Sequence, residues 1–196
     1  INYNSNAVGA QAVAEECRAM GVECLIFGGS VAEDANCVAM ATEAIEKWGR
    51  VDILVNNAGT TKFVDHSDLD GLSSDDFQRI YAVNVIGSYQ MIRAVSEQMK
   101  AQEGGGAVVN VASTAAVTGI GSSVAYAASK GALVTMTLSL ARALGPKLRI
   151  NTVCPGFIEG DWLREGLGDE KYEELMDFHR KNSPLGVTAT PDTVAD

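Results

Sequence analysis

The chain has 196 residues, 46% of them hydrophobic, and 25 acidic against 15 basic side chains give it a formal charge of −10. That charge repels nucleic acid and anionic membrane surfaces, which excludes both as principal partners. No apolar run reads as long enough to span a bilayer and no charged-then-apolar leader is seen, so a cytoplasmic chain forming one domain over residues 1–196 is expected.

Strand-length apolar runs alternate with longer segments of helical period. The chain opens on "INYNSNAVGAQAVAEE", which reads as the tail of a strand entering a helix at 6–20. Strands follow at 22–27, 51–56, 107–112 and 149–154, with helices at 34–48, 74–101 and 123–144 and a weaker one at 161–181. The closing "TPDTVAD" reads as the start of another helix, and one strand-helix unit of about 30 residues is expected in front of Ile1. This order predicts an α/β fold, a doubly wound parallel sheet with helices on both faces.

The 74–101 helix carries Phe77, Ile80, Val85, Ile86, Tyr89, Met91 and Ile92, more apolar surface than one buried stripe needs, and the 123–144 helix is similar. The surplus faces predict a homo-oligomer, a dimer or tetramer. Cys17, Cys24, Cys37 and Cys154 form no Cys-x-x-Cys pair and have no histidines nearby, so free, mostly buried thiols and no metal site are expected.

Tyr126 and Lys130 are four residues apart, on one helical face. An ammonium beside a phenol favours the phenolate, which would make Tyr126 a general acid or base. Tyr89 and Arg93 share the spacing and read as a surface pair, so spacing alone does not single out Tyr126. Ser113 does, because it ends the strand "VVNVA", where parallel sheets place reactive groups. Ser122 and Ser123 read as N-caps, and Ser129 points away from the Tyr126 and Lys130 face. His66 and His179 read as solvated surface, and no Gly-x-Ser-x-Gly elbow supports a serine hydrolase.

"NNAG" at 56–59, Asn84 within "VNVIG", Ser113, "YAASK" at 126–130 and Pro155-Gly156 stand in an order that resembles the classical short-chain dehydrogenases/reductases, in particular 3-oxoacyl-carrier-protein reductases and sugar or alcohol dehydrogenases. The resemblance implies that Tyr126 is the acid or base and that Lys130 lowers its pKa and holds the nicotinamide ribose. It implies that Ser113 polarises the substrate oxygen and that Asn84, where the helix is locally disturbed, links Lys130 to a water chain. Asn57, Ala58 and Gly59 would pass the adenosine half, and Pro155, Gly156 and Ile158 would lie over the nicotinamide. Ser30 and Val31 stand where the family has a residue near the adenine, normally an aspartate. Asn4 and Ser5, in place of an acid after the second strand, favour NADP(H) over NAD(H).

Two departures stand out. The glycine-rich phosphate-binding turn is absent from these residues, and Gly160 stands where the family has a carboxamide-binding threonine. They motivate a competing expectation, a member without turnover that serves as a binding or scaffold subunit. The favoured expectation is an oxidoreductase acting on a small free ketone, hydroxy compound or sugar, with an acyl-carrier substrate as the alternative and with Phe157, Trp162, Leu163 and Leu167 bordering a partly apolar pocket.

Overall fold

Five strands are separated by helical segments, and three helices close the chain, whose residues 1–196 the computed structural model describes. β1 (Asn2–Tyr3) leads to α1 (Ala7–Ala19), β2 (Phe27–Gly28) to α2 (Asp34–Trp48), and β3 (Ile53–Asn56) to α3 (Ser74–Tyr81). A π-helical turn (Ala82–Gly87) joins α3 to α4 (Ser88–Ala101), and β4 (Gly106–Val111), α5 (Ala115–Thr118) and α6 (Val124–Leu144) follow. After β5 (Leu148–Val153) come α7 (Asp161–Leu167), α8 (Asp169–Asn182) and α9 (Pro191–Ala195).

All strand pairing is parallel, as the alternating order predicts, but it runs in two sheets, β1–β2 and β3–β4–β5. The strand expected at 22–27 is reduced to Phe27–Gly28. It pairs Phe27 with Asn2 and Gly28 with Tyr3, and the Phe27 N–H donates to the Ile1 carbonyl at 2.9 Å. In the larger sheet Asn56 is level with Asn110, and Val111 with Val153, so the three carboxyl ends emerge along one edge.

The core that fixes this edge is built from Ala41 of α2, Ile92, Val95 and Met99 of α4, Val108 of β4, and Leu148 and Ile150 of β5. Full burial of such a side chain is worth about 1.5–3 kcal/mol, enough to hold the helices on the sheet. Inside it, Asn56 donates to Asn110 Oδ1 at 2.9 Å and Asn110 donates to Thr137 of α6 at 2.8 Å. This buried amide ladder ties β3, β4 and α6 in a single register.

The 74–101 segment is continuous, and its expected local disturbance at Asn84 is the π turn. Two helical expectations need correction. The 161–181 segment is two helices because Gly168, at φ 79°, sits in the left-handed region between them. α6, at 21 residues, does meet the length and composition of a bilayer span. It nevertheless lies against β5 and α5 and buries Ser129, Lys130 and Thr137.

Candidate active site

Ser123 starts α6 by accepting a hydrogen bond from the Tyr126 N–H at 3.3 Å, so the cap itself places Tyr126 in the first turn. One turn later Lys130 is only 3% exposed. Its Nζ donates to the Val111 carbonyl at 2.7 Å and lies 5.6 Å from the centre of the Tyr126 ring. Val111 ends β4, and Ser113 follows two residues later; its Oγ accepts from the Ala115 N–H at 3.2 Å and stands close enough to the Tyr126 phenol to act on it. The structure thus brings Ser113, Tyr126 and Lys130 together at the strand ends.

The electrostatics depart from the sequence expectation in one respect. Burial pushes the Tyr126 phenol above its ordinary value, and it is the neighbouring Ser113 hydroxyl that works against the rise. Burial also pulls Lys130 down to about 8, opposed by the nearby Cys154. The phenol is therefore held in its protonated form at neutral pH. Lys130 stays mostly charged there, since its pKa lies above 7.

Asn84 sits in the π turn, fully buried. Its Oδ1 accepts from the Thr60 N–H at 2.8 Å, and its Nδ2 donates to the Thr60 carbonyl at 3.0 Å and to Ser129 Oγ at 2.9 Å. Ser129 in turn donates to the Tyr126 carbonyl at 2.7 Å. The Asn84 amide is thus fully engaged as a clamp between the "NNAG" turn and α6, and none of its hydrogen bonds goes to Lys130. Thr60 and Ser129 join this network without having been singled out by the sequence. The only signal was Ser129 facing away from Tyr126 and Lys130, toward the helix that carries Asn84.

Gly59 lies beside both clamp and lysine, since a methyl there would stand 3.7 Å from Asn84 Oδ1 and from Lys130 Nζ. Asn57 and Ala58 are exposed at the end of β3, and Asn4 and Ser5 at the end of β1. Val31 is buried, and Ser30 spends its hydroxyl on the Ala32 N–H at 3.2 Å. The Pro155 carbonyl accepts from the Thr114 N–H at 2.9 Å, which sets Pro155 and Gly156 next to Ser113.

Two features test whether a pyridine dinucleotide fits. Lys130 has three N–H donors and one protein acceptor, leaving two for hydroxyls such as those of a ribose. In front of Gly59 the space a Cβ would fill opens onto that ammonium. The nicotinamide-ribose half fits Lys130 and Gly59, while Asn4 and Ser5 follow β1 in the smaller sheet.

Beyond Gly156 the chain is tied down. Ile158 bridges to Ala189, Glu159 is held by Arg180 at 3.3 Å and by Thr188, and the Gly160 N–H donates to the hydroxyl of buried Tyr172 at 3.2 Å. Both histidines differ from the expected solvated surface. His66 Nε2 is 3.0 Å from the Gly121 carbonyl, and His179 stacks on Phe157 at 4.8 Å.

The depressed Lys130 pKa has a measurable consequence. The unfolded chain binds the extra proton between about 8 and 10.5, so wild-type stability rises with pH across that window. Against Lys130→Met, which has no such proton, the wild type should gain on the order of 3 kcal/mol between pH 7 and 10.5 in denaturant titrations. Parallel pH profiles for the two proteins would contradict the burial of a charged lysine.

Comparison with known proteins agrees with this geometry. The family model described as enoyl-(acyl carrier protein) reductase matches residues 1–196. An uncharacterized oxidoreductase of Thermotoga maritima is 40% identical over 100% of this chain and 76% of its own length. An L-rhamnose 1-dehydrogenase (NAD(P)(+)) of a Sphingomonas species is 33% identical over 100% of this chain and 75% of its own. A solved Burkholderia xenovorans structure assigned to the short-chain dehydrogenases/reductases superposes with a TM-score of 0.88 at 36% identity, covering 100% of this chain and 75% of that one. With the strand-end serine, the tyrosine and lysine of one helical turn and the parallel sheet on which they stand, the chain belongs to the classical short-chain dehydrogenase/reductase family, NAD(P)-dependent oxidoreductases.

Proposed function

We propose that the chain interconverts a small carbonyl compound and its secondary alcohol, with Tyr126 as the general acid and base. The observation that carries this is the meeting of the Ser113 hydroxyl, the Tyr126 phenol and the buried Lys130 ammonium at one sheet edge. The dinucleotide, when bound, supplies or accepts the hydride. The chain's own part is to hold and protonate the oxygen. Ser113 donates to the substrate oxygen and keeps it within reach of the phenol. Tyr126 then passes its proton to that oxygen as negative charge develops there, and Lys130 favours the resulting phenolate. The phenol's raised pKa supports this direction, because the acid form is the one present at neutral pH.

NADP(H) is the proposed partner in preference to NAD(H). Asn4 and Ser5 are neutral donors, whereas a carboxylate there would repel a 2′-phosphate. A homo-oligomer is proposed as well, a dimer or tetramer. Phe77, Ile86 and Tyr89 on the α3–α4 segment and Val124 and Leu138 on α6 remain exposed, a cost that a second copy would remove.

Tyr126→Phe should lower kcat by about 10²- to 10⁴-fold while the Kd for NADPH, read by fluorescence titration, stays within about 3-fold. Unchanged turnover would remove Tyr126 from the role. For the wild type, kcat/KM should be higher with NADPH than with NADH, and Asn4→Asp should move the ratio at least about tenfold toward NADH; a wild-type preference for NADH would reject the cofactor assignment. Light scattering should give a dimer or tetramer for the wild type and a smaller species for Leu138→Glu. A wild-type monomer at micromolar concentration would end the oligomer proposal.

A further inference from the structure

Trp162 of α7 stands over the reacting phenol. Its ring centre is 6.5 Å from that of Tyr126 and 5.9 Å from that of Phe63, which follows the "NNAG" turn. Trp162 is 51% exposed, so part of this aromatic residue remains open to solvent. The contact between the two segments is close, since a Cβ on Gly166 would lie 2.0 Å from the Phe63 ring. Glycine at 166 is what lets α7 settle on Phe63. Two segments about a hundred residues apart in sequence therefore build one aromatic wall, with Tyr126 at its foot.

Around the wall the polar groups are already committed. Thr61 Oγ1 and Ser122 Oγ are 2.7 Å apart, the Val64 N–H donates to the Ser122 carbonyl at 2.9 Å, and His66 pairs with the Gly121 carbonyl. A polyhydroxylated substrate would find few free partners there and would lose hydrogen bonds to water on entering. Charge points the same way. Exposed Asp65, Asp68, Asp161 and Glu165 lie on the bordering segments. Two cations of these segments are paired: Lys62 with Asp76 at 2.7 Å, and Arg164 with Asp169 at 2.9 Å and Glu173 at 2.8 Å.

On the reading of Tyr126 as acid and base, we infer that Phe63 and Trp162 select the substrate, an uncharged carbonyl compound carrying a compact apolar group beside the reacting carbon. Such a group packs on the indole face while its oxygen reaches Tyr126 and Ser113. A polyhydroxylated ketone gives up more hydrogen bonds to water than the committed groups around the wall return, and an anionic ketone meets the acidic rim.

Cyclohexanone, erythrulose and acetoacetate serve as the apolar, polyhydroxylated and anionic probes. Cyclohexanone should have a kcat/KM at least about tenfold above the other two. Trp162→Ala should remove most of that advantage through KM, leaving turnover of erythrulose within about twofold. Because the chain has two tryptophans, Trp48→Phe leaves Trp162 as the sole indole, and its fluorescence in the presence of NADP⁺ should quench saturably with cyclohexanone and not with erythrulose. Preference for erythrulose or acetoacetate, or an equal loss for all three in Trp162→Ala, overturns the inference. If no carbonyl is reduced yet the fluorescence titration saturates selectively, the acid and base assignment fails and the wall stands. If reduction proceeds without selectivity, the wall fails and the assignment stands.

Discussion

A lysine ammonium kept at 3% exposure is the constraint from which the rest of the site follows. Burying a charge is costly unless it gains hydrogen bonds, and Lys130 has one protein acceptor, the Val111 carbonyl. That bond fixes α6 against the end of β4. Tyr126 lies one turn earlier on the same face, so fixing Lys130 also fixes the phenol beside Ser113. A helix shifted by one residue along β4 would break the lysine's hydrogen bond and part phenol from serine together.

The π turn completes the arrangement from the other side. Its wider winding inserts Asn84 into the space between β3 and α6, and such turns occur where a helix is bent to a task. From there one amide grips Thr60 by both backbone groups and reaches Ser129, which holds the Tyr126 carbonyl. The turn after β3 and the helix bearing the phenol are thereby joined through two buried side chains. Deeper down, the ladder from Asn56 through Asn110 to Thr137 repeats the principle, tying strand to strand to helix with satisfied polar groups.

The face toward solvent is built differently. α7 and α8 contribute aromatic and charged contacts: Phe157 against Tyr172 and His179, Arg164 over the Tyr172 ring, and Glu159 with Arg180 and Thr188. Only Tyr172 and Met176 of these two helices are buried. A segment with so few buried apolar contacts opens at low free-energy cost.

Much of this was legible in the sequence because it depends on local period and spacing. The alternation of strand and helix, the one-turn separation of Tyr126 and Lys130 and the strand-end position of Ser113 are set by backbone geometry that any short window encodes. What the chain alone did not reveal were encounters between distant residues: the three bonds that turn Asn84 into a clamp between Thr60 and Ser129, and the meeting of Phe63 with Trp162. The pKa of Tyr126 belongs with them. Spacing brought an ammonium near the phenol and pointed downward, whereas the folded structure buries the phenol and shifts it upward. Desolvation depends on everything that closes around a group, and only the tertiary structure decides that.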